Sequence, residues 1–304
     1  MAVIAVAGGT GNVGRTIVEA LVAAGKHDIR ILARKANPEL EAKLGAAIIP
    51  VDYNDVAATT RALEGNNVHT VISAISMMIL DGTNPEISLI AAADASKATR
   101  RIISSGWGIP YTTAQIAQLP SVKLKLDAEA ALAATKDLEH TVVQCGFFLD
   151  YWTAKPSYMA PQTLVIDVPN RAAAIPGTGD VPVAFTHTID VARFVSTLLD
   201  AEKWEAESIV VGDKVTWNQF LALAEGVTGA KFKVGHDDVE TLKSGKVTEL
   251  PGHVPAYAFF PKEMLQSFHA TFGLWFQDGL FDLTASSAAT GFRALSVKEA
   301  LEWK

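Results

Sequence analysis

The 304-residue sequence holds one cysteine, Cys145, so no disulfide can form within the chain, and a reducing compartment is expected. Nor is there an excess of positive charge: 26 Lys and Arg stand against 33 Asp and Glu, a formal net charge of −7. Nucleic acid and anionic membrane surfaces attract basic faces, so neither is expected as a main partner. No apolar run reaches the ~20 residues of a membrane span. The opening MAVIAVAGG lacks a basic leader and is too brief for a secretory signal, so a cytoplasmic protein is expected. Repeats and low-complexity linkers are missing as well. What remains, 49% hydrophobic and 19% charged residues, is a chain able to bury a sizeable core as one large domain or two small ones.

Two periods alternate through the first half. Short continuous apolar runs at 3–7, 29–34, 46–51, 69–76, 101–105 and 140–144 predict strands buried on both faces. Between them, 12–24, 56–63, 85–98 and 123–135 predict helices, with Gly25 ending the first and Pro85 opening the third. This alternation predicts an α/β fold, a Rossmann-type doubly wound parallel sheet. Beyond 150 the pattern loosens around Pro156, Pro161, Pro169, Pro176 and Pro182. One more strand and helix are expected over 183–200, a strand over 208–213 and a helix from Thr216 to Ala224. The predicted division is a dinucleotide-binding domain over 1–155, rejoined at 183–203, and a smaller substrate-binding region over 156–182 and 204–304.

VAGGTGNVGRT, residues 6–16, stands at the first strand–helix junction. Gly9, Gly11 and Gly14 satisfy G-x-G-x-x-G, and Gly8, Gly11 and Gly14 satisfy G-x-x-G-x-x-G. Glycines there permit a tight turn and a close approach of backbone to a pyrophosphate, and the helix start offers free N–H groups to it. The alternative is a purely structural turn; the strand before and helix after favour a dinucleotide. The second strand ends Ala33-Arg34-Lys35, without the acidic residue that takes a ribose 2′-hydroxyl. Two cations suit a 2′-phosphate, so NADP(H) is the expected cofactor, with Arg15 as a further cation near the pocket.

Read together, AVAGGTGNVGRTIVEAL, LARK, PVDYND, VISAIS, SSGWG, VVQCGFFLDYW and FTHTIDVARFV resemble the NmrA-like and isoflavone-reductase-like proteins, and their fungal branch most of all. These are atypical short-chain dehydrogenase/reductases. The resemblance spans residues 1 to about 225. It implies NADPH-dependent reduction of small aromatic or otherwise secondary metabolites, in a family that also includes dinucleotide-binding redox sensors. It assigns Gly8, Thr10, Gly11, Asn12, Val13 and Gly14 to the phosphate loop and Arg34 and Lys35 to the 2′-phosphate. Asp52 and Tyr53 fall to adenine, and Ala74 and Ile75 to ribose and nicotinamide. Ser105 joins the cofactor set, and Gly146, Phe147 and Phe148 form the nicotinamide wall.

The resemblance also implies a catalytic lysine at the start of the helix after the fifth strand. VKLKLDAEAALAA offers Lys125, with Lys123 as the alternative; a solvated helix start is the bland reading of both. Tyr111 is a further candidate proton donor. Tyr151 and Lys155 spell Tyr-x-x-x-Lys, yet they follow the sixth strand, the wrong position for that catalytic pair, so Tyr151 and Trp152 are expected in a pocket wall or the core. Where family reductases carry Pro-Ser-Glu after the fifth strand, this chain has Ser104-Ser105-Gly106. Gly106 either makes room for a different substrate or marks lost catalysis. His236-Asp237-Asp238 lacks a second histidine at ligand spacing, so no metal is expected. His187 is expected to be a satisfied, partly buried histidine. Phe259, Phe260, Phe268, Phe272, Trp275 and Phe276 are expected mostly in the core, some lining an apolar pocket. The expected function is an NADPH-dependent reductase of a small, largely apolar molecule, in a monomer or homodimer; a dinucleotide sensor and a non-redox isomerase are the alternatives.

Overall fold

The structure is a computed structural model in which residues 1–77, 83–286, 289 and 292–303 are described. Five strand–helix units open the chain: β1 (Val3–Ala7) and α1 (Asn12–Ala24), β2 (Asp28–Ala33) and α2 (Pro38–Leu44), β3 (Ala47–Pro50) and α3 (Val56–Gly65), β4 (Val68–Ser73) and α4 (Pro85–Ala95), β5 (Arg101–Ser104) and α5 (Val122–Ala133). β6 (Glu139–Gln144) and β7 (Phe147–Phe148) follow, then β8 (Ile166–Asp167), β9 (Ala172–Pro176), β10 (Pro182–Thr186) and α6 (Thr188–Asp200). β11 (Glu207–Ile209), β12 (Asp213–Thr216), α7 (Trp217–Thr228), β13 (Lys233–Asp237), α8 (Val239–Lys243), α9 (Lys262–Gln277) and α10 (Val297–Glu302) complete it.

The main sheet has seven parallel strands in the order β11-β6-β5-β4-β1-β2-β3. Alternation along β1 shows why both faces are covered. Ile4 and Val6 pack with Ile17 and Val18 of α1 and Phe194 of α6, whereas Ala5 and Ala7 pack with Leu89 and Ala93 of α4. Strand order reverses between β1 and β4, and the crevice at that reversal is where a doubly wound sheet receives its ligand.

Four helices, α2, α8, α9 and α10, lie outside those expected from the sequence. α2 carries clear end signals: Asn37 accepts a hydrogen bond from Leu40 N at 3.0 Å and Gly45 closes the helix. Its seven residues are too few to display a 3.6 period. In α9 the aromatic residues Phe268, Phe272, Trp275 and Phe276 share one helix face at i, i+4, i+7 and i+8.

The return of the chain differs in detail from the division expected above. α6 does pack on α1, but β10, expected to rejoin with it, pairs with β7 and antiparallel with β12 in a second sheet. β11, expected outside, extends the main sheet by pairing with β6. The apolar β6 would otherwise be an open edge, and Thr141 and Ser208 hydroxyls meet across the new pair at 2.9 Å. A third sheet, β13-β9-β8, lies in the C-terminal part. Between the parts lies an aromatic core of Phe147, Trp152, Phe185, Trp217, Phe220, Trp275, Phe276 and Phe281. No helix among the described residues is long and apolar enough to cross a membrane.

Candidate functional site

The loops after β1, β4 and β5 meet at one edge of the sheet. Gly8 adopts φ +74°, and a Cβ there would lie 2.6 Å from the Ala74 carbonyl oxygen; a Cβ on Gly14 would lie 2.4 Å from the Gly8 oxygen. The turn therefore closes only with glycine at both, and Ala74 is the wall against which it closes. Gly11 is different. It is extended, caps α1 without a side chain, and a Cβ would meet nothing within 4 Å. Asn12 follows at φ +47°, a conformation asparagine tolerates better than most residues. The start of α1 thus presents uncapped backbone N–H groups to open space, as a pyrophosphate requires. Thr10 and Asn12 are exposed beside it and Val13 is buried beneath.

Tyr53 supports this loop from below. Its hydroxyl donates to Leu32 O at 2.9 Å, the carbonyl that also accepts from Gly8 N at 3.3 Å, and burial raises its pKa. Asp52 is exposed and turns the chain, accepting from Asn54 N at 2.9 Å. Arg34 and Lys35 stand exposed at the end of β2, and neither forms an ion pair among the described residues. Arg15 is engaged: it pairs with Glu19 at 3.2 Å and lies 4.0 Å from the centre of the Tyr158 ring.

β4 and β5 are cross-tied at their carboxyl ends. Ser105 Oγ donates to Ile75 O at 2.9 Å, and the Trp107 indole N–H to Ser73 O at 2.9 Å, with Trp107 itself at φ +43°. Gly146 N donates to Gly108 O at 2.8 Å, joining the β6–β7 link to the same loop. Gly106 is packed against β6, where a Cβ would lie 2.3 Å from Val143 O. Neither alternative offered for Gly106 is needed: the backbone contact admits no side chain. The carboxylate near this strand end comes from elsewhere. Glu86 on α4, fully buried, accepts hydrogen bonds from Ser73 Oγ, Ser104 Oγ (2.7 Å) and Ser105 N (3.2 Å). Sequence reasoning missed it, because a glutamate at a helix start reads as a favourable first-turn charge.

Lys125 and Lys123 part company on α5. Lys123 is exposed and pairs with Asp127 at 2.6 Å. Lys125 turns inward, its Nζ donating to Gly106 O and to Ser105 O, the latter at 3.3 Å. Burial lowers its pKa to about 8, against the opposing pull of the Cys145 thiol, Glu86 and Glu129. Its ammonium lies 5.7 Å from the centre of the Tyr111 ring, which stacks edge-on against Trp275 at 5.6 Å. A small cleft lies here, lined by Met77, Ser105, Ile109, Tyr111 and Lys125 among others.

Other expected residues lie elsewhere. Phe147 and Phe148 point to opposite sides of β7. Phe148 packs toward the main sheet's core, whereas Phe147 sits 5.5 Å from Phe276 and 5.7 Å from Phe281, spent on the aromatic core rather than on the nicotinamide wall. Tyr151 joins the same aromatics, and Lys155 lies over Trp303 at 3.6 Å, so Tyr-x-x-x-Lys forms no pair. His187 is buried, caps α6 through Nδ1, and lies 3.6 Å from Asp150. His236 is exposed against Gly177 O at 3.1 Å, and no group of three metal-ligating side chains occurs among the described residues. Phe259 and Phe260 are surface residues, 82% and 53% exposed, which corrects their expected place in the core.

The comparisons with known proteins agree with this geometry. The chain is 36% identical over 288 residues to the oxidoreductase BOA1 of Botryotinia fuckeliana, covering 94% of this chain and 91% of that one. It is 33% identical to the oxidoreductase swnN of Metarhizium robertsii, covering 84% and 82%. The leucoanthocyanidin reductase of Vitis vinifera, solved as a binary complex with NADPH, superposes with a TM-score of 0.73 at 17% identity over 99% and 98% of the two chains. Residues 1–291 match the family profile, well past the 225 reached by the motifs, and the chain belongs to the NmrA-like family.

Proposed function

We propose that this protein is an NADPH-dependent reductase of a small, largely apolar metabolite carrying a polarised carbonyl or alkene. The observation that carries the reading is the placement of Lys125. Its ammonium is seated on two backbone carbonyls of the β5 loop, at the same sheet edge as the glycine turn. The residues fit the cofactor. Gly8, Gly11 and Gly14 shape the pyrophosphate turn, with Thr10, Asn12 and Val13 around it, and Arg34 and Lys35 supply unpaired cations for a 2′-phosphate. Ala74, Ile75, Ser105, Gly146 and Phe148 follow the carboxyl ends of β4, β5 and β6 and complete the proposed cofactor site. That the relatives matched over most of the chain are named oxidoreductases favours an enzyme over a sensor.

NADPH supplies the hydride. A lysine ammonium has three N–H donors, and the carbonyls of Ser105 and Gly106 account for two. The third is left for a substrate oxygen, where it meets the developing negative charge and delivers a proton. Tyr111 and Ile109 line the cleft beside it, the Tyr111 ring braced edge-on by the buried Trp275.

Calorimetric titration with NADPH, NADP, NADH and NAD, followed by a screen of enones, quinones and aryl ketones for NADPH consumption, tests the reading. Preference for the phosphorylated pair is expected, and Arg34→Ala is expected to reduce it roughly tenfold or more, the worth of a charged hydrogen bond. Preference for NAD and NADP over their reduced forms, with no NADPH consumed, would establish a sensor instead. Turnover without net loss of NADPH would establish an isomerase.

A further inference from the structure

We infer that Glu86 is a positioning residue: its buried carboxylate gathers the ends of β4 and β5, fixing the turn whose carbonyls seat Lys125, and supplies the negative charge that keeps that lysine an ammonium. This rests on the reading of Lys125 given above.

The network is built from three elements. Glu86 Oε1 accepts from Ser104 Oγ and from Ser105 N, and Oε2 from Ser73 Oγ. Three donors thus converge on two oxygens, as an acceptor-only carboxylate demands. The peptide held through Ser105 N is continuous with the carbonyls that receive Lys125. The two helices are tied independently, because Asn84 Nδ2 at the start of α4 donates to Leu124 O at 2.9 Å, one residue before the lysine. Glu86 also lies in the first turn of α4, where the helix dipole favours negative charge.

A fold in want of packing would not choose this residue. Burying a carboxylate costs several kcal/mol, and an apolar side chain of similar volume often stabilises more. Here the carboxylate is met by three hydrogen-bond donors at the turn that seats a buried cation. Burial drives the Glu86 carboxyl upward, while the serine hydroxyls, the Ser105 amide and Lys125 pull it back. The lysine in turn faces Glu86 from α4, Glu129 one turn along α5, Cys145 from the β6–β7 link and Tyr111 from the β5 loop. Of these, Glu86 alone also shapes the lysine's seat.

The test reads the lysine directly. The full-length protein is produced with ¹³C,¹⁵N-labelled lysine, and the Lys125 side-chain resonance, identified by its absence in Lys125→Arg, is titrated by NMR. In Glu86→Gln, which keeps the shape and removes the charge, the midpoint is expected to fall by about one pH unit. Thermal unfolding and NADPH titration report whether the variant is folded. Should it not fold, the double variant Ser73→Ala/Ser104→Ala strips two donors from the carboxylate and is expected to lower the same midpoint. An unmoved midpoint in whichever variant folds overturns the inference. Loss of turnover in Glu86→Gln with an unmoved lysine overturns it too, yet leaves the reductase reading intact. Conversely, full turnover by Lys125→Ala ends the catalytic reading while the coupling of the two charges stands.

Discussion

A single side chain, Lys125, carries most of the chemistry argued here, and its protonation sets a testable pH dependence. In the proposed mechanism the ammonium is the active form, and burial brings its pKa from the ordinary lysine range down to about 8. Turnover should therefore be level at neutral pH and fall as pH rises through about 8, approaching tenfold per unit above it. A lysine left at its usual value would hold activity two units further. Lys125→Ala should lower kcat by about 10²–10⁴-fold, the usual contribution of a positioned general acid, while NADPH binding changes little. A rate that is flat through pH 9.5 would remove the lysine from the mechanism. At this scale the sequence was readable where spacing carries the information. The glycines, Arg34 and the pair Lys123 and Lys125 were all visible. Which lysine turns inward was settled by packing, and Glu86 was invisible because its partners are Ser73, Ser104 and Ser105, brought together only by strand pairing between β4 and β5.

At the scale of elements, β1 to β6 were legible because a strand buried on both faces must be apolar throughout, and its length then shows in the sequence. The two-residue β7 and β8 offer no such run. The late elements hide a pair that no spacing along the chain announces. His253, in the turn over Pro251–Ala258, and His269, on α9, stack at 4.6 Å in the C-terminal part, both buried. His253 Nδ1 accepts from Leu250 N at 3.2 Å, so this ring is neutral. Burial lowers both imidazoles, His269 to about 3. The unfolded chain takes up a proton at each near pH 6.5 and the folded chain does not. Stability from His269 is complete above about pH 6.5 and is lost as pH falls toward 3, by up to ~1.4 kcal/mol per unit, and His253 adds in the same direction. Urea unfolding at pH 7 and pH 5 should show this loss, and His269→Leu should flatten it. An identical slope in parent and variant would place the acid sensitivity elsewhere.

Across the whole molecule, the division drawn at residue 155 misplaces the joint, and the reason is physical. The chain crosses between the two parts repeatedly: β10 stays with β7 and β12, α6 directly after it returns to cover α1, and β11 returns to close the β6 edge. Phe147, directly after β6, then carries its ring into Phe272, Phe276 and Phe281. Arg101 on β5 reaches back to Glu139 at 2.6 Å and to the carbonyls of Ala201 and Glu202, binding the end of α6 to the main sheet. Domains separate where few contacts cross a boundary, and among the described residues the chain crosses this one at α6, β11 and Phe147. The protein should therefore unfold as one cooperative unit. Tryptophan emission, weighted by Trp152, Trp217 and Trp275 in the C-terminal part, and far-ultraviolet dichroism, weighted by the helices of the main sheet, should give one coincident urea transition. NADPH held at the β1–β4 edge should move both probes together, by about 2.7 kcal/mol at a hundredfold excess over its Kd. If emission changes first and NADPH shifts only the later transition, the aromatic core belongs to an independent unit. The cleft at Lys125 would then be an interface between two moving bodies rather than a fixed site.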